Sequence, residues 1–205
     1  MASVPNRERV LRAATAAFMT DGYRSSIERI AQRAGVAKQT VYSHFPSKDH
    51  LFEEVAREMA KRVLIELEPS GEHKGPSGKG VEQSGDALRA GLLRFALAYR
   101  ERVLSDEGIA MFRTLVAEIP RFRTLARAIY QGGPGETAAR LADYLGNAMA
   151  AGRLRRDEPK FAAELFMSML VGLDRIKRLY GVARFEADAR RAARIVDRFL
   201  AAYTP

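Results

Sequence analysis

Cysteine is absent from the 205 residues. Disulfides, thiolate nucleophiles and Cys-based metal sites are therefore excluded. Histidine is scarce: His44, His50 and His73 are the full set, and their spacing does not place ligands on one helix face as a metal site needs. No metal and no cofactor is expected. The chain has no Gly-x-Ser-x-Gly and no strand-borne glycine-rich loop, so neither a hydrolase elbow nor a nucleotide cradle is marked. An all-helical enzyme would need a dyad assembled from distant helices, and no residue points to one. No apolar run approaches the ~18 residues of a membrane span. The N-terminal residues form a charged amphipathic segment rather than a signal-peptide core, so the expected location is the cytoplasm. Alternating runs of useful strand length are missing too. What remains is an ordinary globular composition, 47% hydrophobic and 29% charged, on a chain long enough for a small domain and a medium one.

The charge is uneven. The net charge is +9. The first 48 residues hold eight Arg or Lys against Glu8, Asp21 and Glu28. That bias fits attraction to phosphates, although an Arg-rich surface of another kind would also show it.

Residues 25–48 carry the most informative pattern. Ser25 and Glu28 have the spacing of a capping box, which predicts a helix start. Ile27, Ile30, Ala31 and Ala34 then fall on one apolar stripe. Gly35 is placed to end that helix in a left-handed conformation, with Val36 and Ala37 in the turn. A second helix is predicted from about Lys38 to Phe45, stopped by Pro46. Val41 and Phe45 share its inner side, so Gln39 and Ser43 point outward with Thr40 and Tyr42 on the flanks. Ser47 is placed to cap the next helix, with Lys48 in its first turn. This is a helix-turn-helix layout, and double-stranded DNA is the partner it suits. Gln39 offers a donor and an acceptor together, as an adenine edge requires. The hydroxyls of Thr40, Tyr42 and Ser43 and the ammonium groups of Lys38 and Lys48 are ordinary phosphate contacts. The first helix offers backbone N–H groups to a further phosphate. The pattern by itself fits a helical hairpin with a solvated polar face equally well.

Residues 7–55 resemble the N-terminal DNA-binding domain of the TetR family of transcriptional regulators. The resemblance rests on Arg9-Val10-Leu11-Arg12-Ala13-Ala14, Phe18, Gly22-Tyr23, Ile30-Ala31, Ala34-Gly35-Val36, Lys38, Thr40-Val41-Tyr42, Phe45-Pro46-Ser47-Lys48 and Leu51-Phe52. It implies that the helix bearing Thr-x-Tyr enters the major groove, with Thr40, Tyr42 and Lys48 on the backbone and Lys38, Gln39 and Ser43 near bases. Ser25 and Ser26 at the preceding helix start, and His44 on the reading helix, complete the expected contact set. Ser25 stands where Thr is common in the family. Residues 118–135, from Glu118-Ile-Pro-Arg-Phe to Gly-Pro-Gly, are more loosely similar to the C-terminal segment of AefR-like members.

All the remaining periodicity is helical. The expected fold is all-α: an N-terminal three-helix head over residues 1–48 and a helical ligand-binding and dimerisation domain over 49–205. One helix is expected from about Asn6 to Asp21. A fourth follows Ser47, with Leu51, Val55, Met59, Val63 and Leu67 spaced by fours. Eight of the twelve residues from Pro69 to Gly80 are Gly, Pro or Ser, which predicts a flexible linker over about 69–84. Further helices are expected at about 85–102, 105–119, 122–130, 136–151, 157–180 and 185–203. Gly132-Gly133-Pro134-Gly135 is expected to break the chain.

On the last two helices, Phe166, Met169, Leu173 and Ile176, with Ala192, Ile195, Val196, Phe199, Leu200 and Tyr203, are candidates for a homodimer contact. A helix apolar on more than one side needs burial on more than one side. The centre of a monomeric bundle would satisfy the same pattern; a dimer is expected because its two-fold symmetry also matches a palindromic operator. The resemblance also implies a small-molecule pocket in the C-terminal domain. Its candidate lining is Phe95, Tyr99, Met111, Phe112, Leu115, Phe122, Tyr130, Tyr144, Phe166 and Leu170, which suits a small apolar or aromatic effector. The expected function is a repressor that binds a palindromic operator as a dimer and is released by that effector. An effector-independent DNA-binding protein is the nearest alternative, and an all-helical enzyme a more distant one.

Overall fold

The computed structural model describes residues 5–63, 85–184 and 188–205. The expected linker over 69–84, Leu67 of the fourth helix and the Phe185 start of the last helix lie outside the described residues. Within them the regular structure is helical throughout: α1 (Asn6–Asp21), α2 (Ile27–Ala34), α3 (Lys38–His44), α4 (Lys48–Val63), α5 (Gly85–Leu104), α6 (Asp106–Glu118), α7 (Arg123–Tyr130), α8 (Glu136–Ala150), α9 (Pro159–Leu179) and α10 (Ala189–Ala202). A 3-10 turn covers Gly22–Arg24. No helix among the described residues is long and apolar enough to cross a membrane.

The expected break at Gly132-Gly133-Pro134-Gly135 is instead a π-helical turn over Gln131–Gly135, lying between α7 and α8. Pro134 lacks the N–H of a regular ladder, and its ring would crowd the preceding turn of an α-helix. The wider turn here is a single isolated one, the form in which π-helix mostly occurs.

The chain divides into two compact units. The first joins Met1–Arg62 with Asp106–Gly133. In its core Val10, Ala14 and Phe18 of α1 meet Ile30 and Ala31 of α2, Val41 and Phe45 of the reading segment, and Leu51, Phe52 and Val55 of α4. Met111 of α6 and Leu125 of α7 join the same core, so two helices from beyond residue 105 complete the head. The second unit joins Val63–Ser105 with Pro134–Pro205. There α9 packs on α5 and α8, and α10 on α5. Leu92, Phe95, Leu141, Leu145, Phe166 and Phe199 are buried at its centre.

Gly35 takes φ 65° and ψ 39°, the left-handed cap anticipated for the α2–α3 turn. Its N–H reaches back to the Gln32 carbonyl at 3.1 Å, and the Val36 N–H to Ala31 at 3.1 Å. A Cβ at Gly35 would also sit 2.7 Å from the Arg9 guanidinium, which donates to the Gly35 carbonyl at 3.0 Å. Gly35→Ala is therefore expected to destabilise the protein by about 1–2 kcal/mol, read as a lower urea midpoint at unchanged slope. An unaltered midpoint would contradict the left-handed turn.

Candidate nucleic-acid interface

The start of α2 differs from the expected capping box by one residue. Ser26 is the N-cap, its hydroxyl accepting from the Arg29 N–H at 3.2 Å. Ser25 is only 3% exposed, and its hydroxyl donates to the Ala17 carbonyl at 3.1 Å, with the Asp21 carboxylate 3.3 Å away. The 3-10 turn before it folds the Ser25 side chain back under α1. Ser25 is accordingly withdrawn as a phosphate contact, and Ser26 stands exposed in its place at the α2 N-terminus.

The short helix α3 is held by Val41 and by Phe45 just past its end, both fully buried. Lys38, Gln39, Tyr42, Ser43 and His44 are exposed, and Thr40 is half-buried. These are the residues singled out for the outward face, now assembled on one surface. The Ser43 hydroxyl donates back to the Thr40 carbonyl at 2.9 Å. Lys38 is engaged by Glu28 of α2. That hydrogen bond is the main cause holding the Glu28 carboxyl down at about 2 and raising the Lys38 ammonium above its ordinary value.

Lys48 is positioned by a cluster that the sequence did not reveal. Ser47 caps α4, accepting from the His50 N–H at 3.0 Å. This sets Lys48 in the first turn, with its ammonium 4.3 Å from the centre of the Tyr23 ring. The Tyr23 hydroxyl donates to Asp49. One guanidinium nitrogen of Arg121, in the turn after α6, reaches both Asp49 oxygens at 3.0 and 3.1 Å. The Arg121 guanidinium also lies 4.5 Å from the Tyr23 ring. Phe122 closes the back, its ring 5.6 Å from Tyr23 and 5.2 Å from Phe52. Burial, then the neighbouring Arg121 charge, lowers the Lys48 pKa. The Tyr23 hydrogen bond lowers that of Asp49, and Asp49 raises that of Arg121. Tyr23 itself is pushed up to about 12, first by burial and then by Asp49. Arg121 is 72 positions from Asp49, a separation across which no sequence pattern connects them.

The ten candidate pocket residues do not gather at one place. Phe95, Tyr99, Tyr144, Phe166 and Leu170 are packed in the core of the second unit. Phe95 stacks on Tyr99 at 5.6 Å and on Phe166 at 6.1 Å. Met111, Leu115 and Phe122 pack in or against the core of the first unit. Phe112 is half-buried and Tyr130 exposed. The candidate dimer residues also separate. Phe166, Ala192, Val196, Phe199 and Tyr203 are buried within the protomer's own second unit and are withdrawn as partner contacts. Met169, Ile195 and Leu200 are half-buried, while Leu173 and Ile176 are 70% and 45% exposed. A helical stripe read from sequence cannot say whether it faces its own core or a partner's.

A tyrosine raised in the folded state contributes stability below its ordinary value of 10.0, and this is lost as pH rises towards about 12. An absorbance titration should show that Tyr23→Phe removes a late-ionising tyrosine and that Asp49→Asn makes this group ionise earlier. A Tyr23 that titrates normally in wild type would contradict the cluster.

Comparison with known proteins identifies the family. Residues 10–55 match the family model for bacterial regulatory proteins of the tetR family, and residues 90–205 match that for the C-terminal domain of AefR-like transcriptional repressors. A helix-turn-helix regulator of Bacillus subtilis, YhgD, is 33% identical over 73 residues, a stretch covering 33% of this chain and 38% of that protein. Among solved structures, a TetR-family regulator from Mesorhizobium loti superposes with a TM-score of 0.77 at 27% identity, covering 98% of this chain and 97% of the other. The flavonoid-responsive regulator FrrA superposes with a TM-score of 0.70 at 30% identity, covering 98% and 97%. The chain belongs to the TetR family of bacterial transcriptional regulators, DNA-binding proteins of the helix-turn-helix class with, here, an AefR-like C-terminal domain.

Proposed function

We propose that the protein is a ligand-responsive repressor that binds an imperfect palindrome as a homodimer in the cytoplasm and leaves it when a small apolar or aromatic effector binds. We keep residues 1–48 as its DNA-reading part and 49–205 as its effector-binding and dimerisation part. The outward face of α3 carries the reading: Gln39, Tyr42 and Ser43 are exposed on a helix anchored from behind by Val41 and Phe45. Gln39 makes no side-chain hydrogen bond to a described residue, so both its donor and its acceptor are available to a base edge. Ser26, Thr40, Tyr42 and Lys48 serve phosphates.

The dimer reading is narrower than the sequence allowed. It rests on Leu173, Ile176 and Tyr180, which stand exposed along the end of α9 and just past it, with the half-buried Met169, Ile195 and Leu200. Two copies would space their reading helices about 34–36 Å apart, one turn of the duplex. The effector reading rests on the aromatic core around Phe95, Tyr99 and Phe166 and on FrrA, whose name gives it a flavonoid response. Effector and operator must oppose each other by the same factor in both directions.

Selection of bound sequences from random duplexes should yield two half-sites about one turn apart. Gln39→Ala should relax preference at one base pair per half-site, by roughly 1–3 kcal/mol. Lys48→Ala should weaken all sequences alike and flatten the salt dependence. Glu28→Gln should tighten binding by releasing Lys38. Equal affinity of wild type for selected and random duplexes would overturn the reading. In sedimentation, Leu173→Asp should give folded monomers, whereas Phe199→Asp should unfold the second unit, because an unpaired buried carboxylate costs several kcal/mol. A wild-type monomer at micromolar concentration would refute the dimer. Effectors titrated against free and operator-bound protein should bind the free form more tightly; equal affinities would refute ligand control.

A further inference from the structure

We infer that Arg121 is a positioning residue for DNA binding: by occupying the Asp49 carboxylate it keeps the Lys48 ammonium free for a backbone phosphate. The inference rests on the reading of Lys48 as a phosphate contact, and adds the group that holds Lys48 in readiness. Arg121 lies in the turn after α6, 72 positions from Asp49 and outside the helix-turn-helix.

Two lysines of the head stand beside carboxylates, and they meet different fates. Lys38 is paired with Glu28. Lys48 is followed directly by Asp49, and both side chains come to the same ring. The Lys48 ammonium lies 4.3 Å from the centre of Tyr23, and Asp49 accepts from the Tyr23 hydroxyl. A lysine stem is flexible enough to swing from the face of that ring to its edge. Lys48 nevertheless forms no ion pair among the described residues; its ammonium stays on the ring.

Arg121 accounts for the difference. One of its guanidinium nitrogens meets both Asp49 oxygens, at 3.0 and 3.1 Å. With the Tyr23 hydroxyl on one of the same oxygens, the carboxylate is met by two donors. The guanidinium also lies 4.5 Å from the centre of the Tyr23 ring and 5.2 Å from that of Phe122. Its charge therefore stands near Lys48 and disfavours a second cation on Asp49. Burial lowers the Lys48 pKa first and the Arg121 charge next, while Asp49 and Glu118 act the other way more weakly. Lys48 thus feels the repulsion of Arg121 more than the attraction of Asp49. The ammonium is left to a phosphate, and the phosphate meets no bare carboxylate beside it. At Lys38 the lysine is itself the cation that its carboxylate takes. The Arg121–Asp49 pair is about half-exposed on both sides, so it contributes little to stability. Its loss should show in binding and not in melting.

The test is a pair of mutant cycles on the full chain. Binding is read as the anisotropy of a labelled duplex of about 30 base pairs that carries the selected half-sites. Lys48→Ala sets the scale. Arg121→Gln should weaken binding about threefold or more and flatten its salt dependence towards that of Lys48→Ala, with the melting temperature unchanged. The same change made in Asp49→Asn protein, or in Lys48→Ala protein, should have no further effect. If Arg121→Gln melts early, Arg121→Met, which keeps an apolar stem against the two rings, takes its place in both cycles. A loss that persists in either background would overturn the inference, because Arg121 would then act on DNA or on the fold by itself. Normal binding by Arg121→Gln, with Lys48→Ala weakened, would overturn the inference alone. Lys48→Ala that binds as wild type would overturn the phosphate reading of Lys48 and the inference with it.

Discussion

A helix of seven residues has no stability of its own in water, and everything the head does depends on fixing one. The helix α3 is held because Val41 and Phe45 are fully buried, each contributing about 1.5–3 kcal/mol on burial. Those two anchors determine which way Gln39, Tyr42 and Ser43 face. The rest of the first unit exists to give the anchors something to press against: α1 behind, α2 across the Gly35 turn, and α4 from below. The exposed polar residues therefore stand on one side of a helix whose folding energy lives on the other, and the two sets of residues do not overlap.

The same economy explains why α6 and α7 belong to the head. Phe122 packs against Tyr23 and Phe52, while Arg121 reaches Asp49 in the first turn of α4. An exposed ion pair of this kind is worth little stability by itself. Its importance is positional, since Tyr23, held by Asp49, is the surface on which the Lys48 ammonium lies. The turn after α6 is joined through Arg121 to the first turn of α4, and through Phe122 and Tyr23 to the Lys48 ammonium.

Local features of the fold were legible where chemistry is local. The Gly35 turn, the Ser47 cap and the outward face of α3 follow from spacing over a few residues, and each is present. The α2 cap was misassigned by one place because Ser25 and Ser26 are chemically alike; only the tertiary fold decides which hydroxyl turns inward. The π turn was hidden because Gly-Gly-Pro-Gly signals a break whenever the surrounding helices cannot be seen. The pocket and dimer residues fared worst. Phe166, Val196 and Phe199 read as exportable stripes, yet the packing of α5, α8, α9 and α10 buries those positions within the same chain. Arg121 and Asp49 carry no mutual signal at all, since ion pairing over 72 positions leaves no period.

Gly172 decides how α9 divides its duties. It sits at φ 30° and ψ −128° inside the helix, a conformation that side chains bearing a Cβ rarely adopt. Before it, Phe166 and Leu170 are fully buried. After it, Leu173 and Ile176 stand in solvent while Asp174 and Arg178 turn towards α5 and α10. A straight helix would carry its stripe onward at 100° per residue, and the residues following Leu170 would continue the same apolar face. The break rotates the register, so one glycine separates a hydrophobic first half from a second half with an exposed apolar edge and a charged inner one. Arg100 makes the arrangement tolerable by donating to the Leu170 carbonyl beside the break and to Asp174 beyond it. A buried guanidinium is costly unless its donors are met, and here the helix break supplies the acceptor that meets one of them.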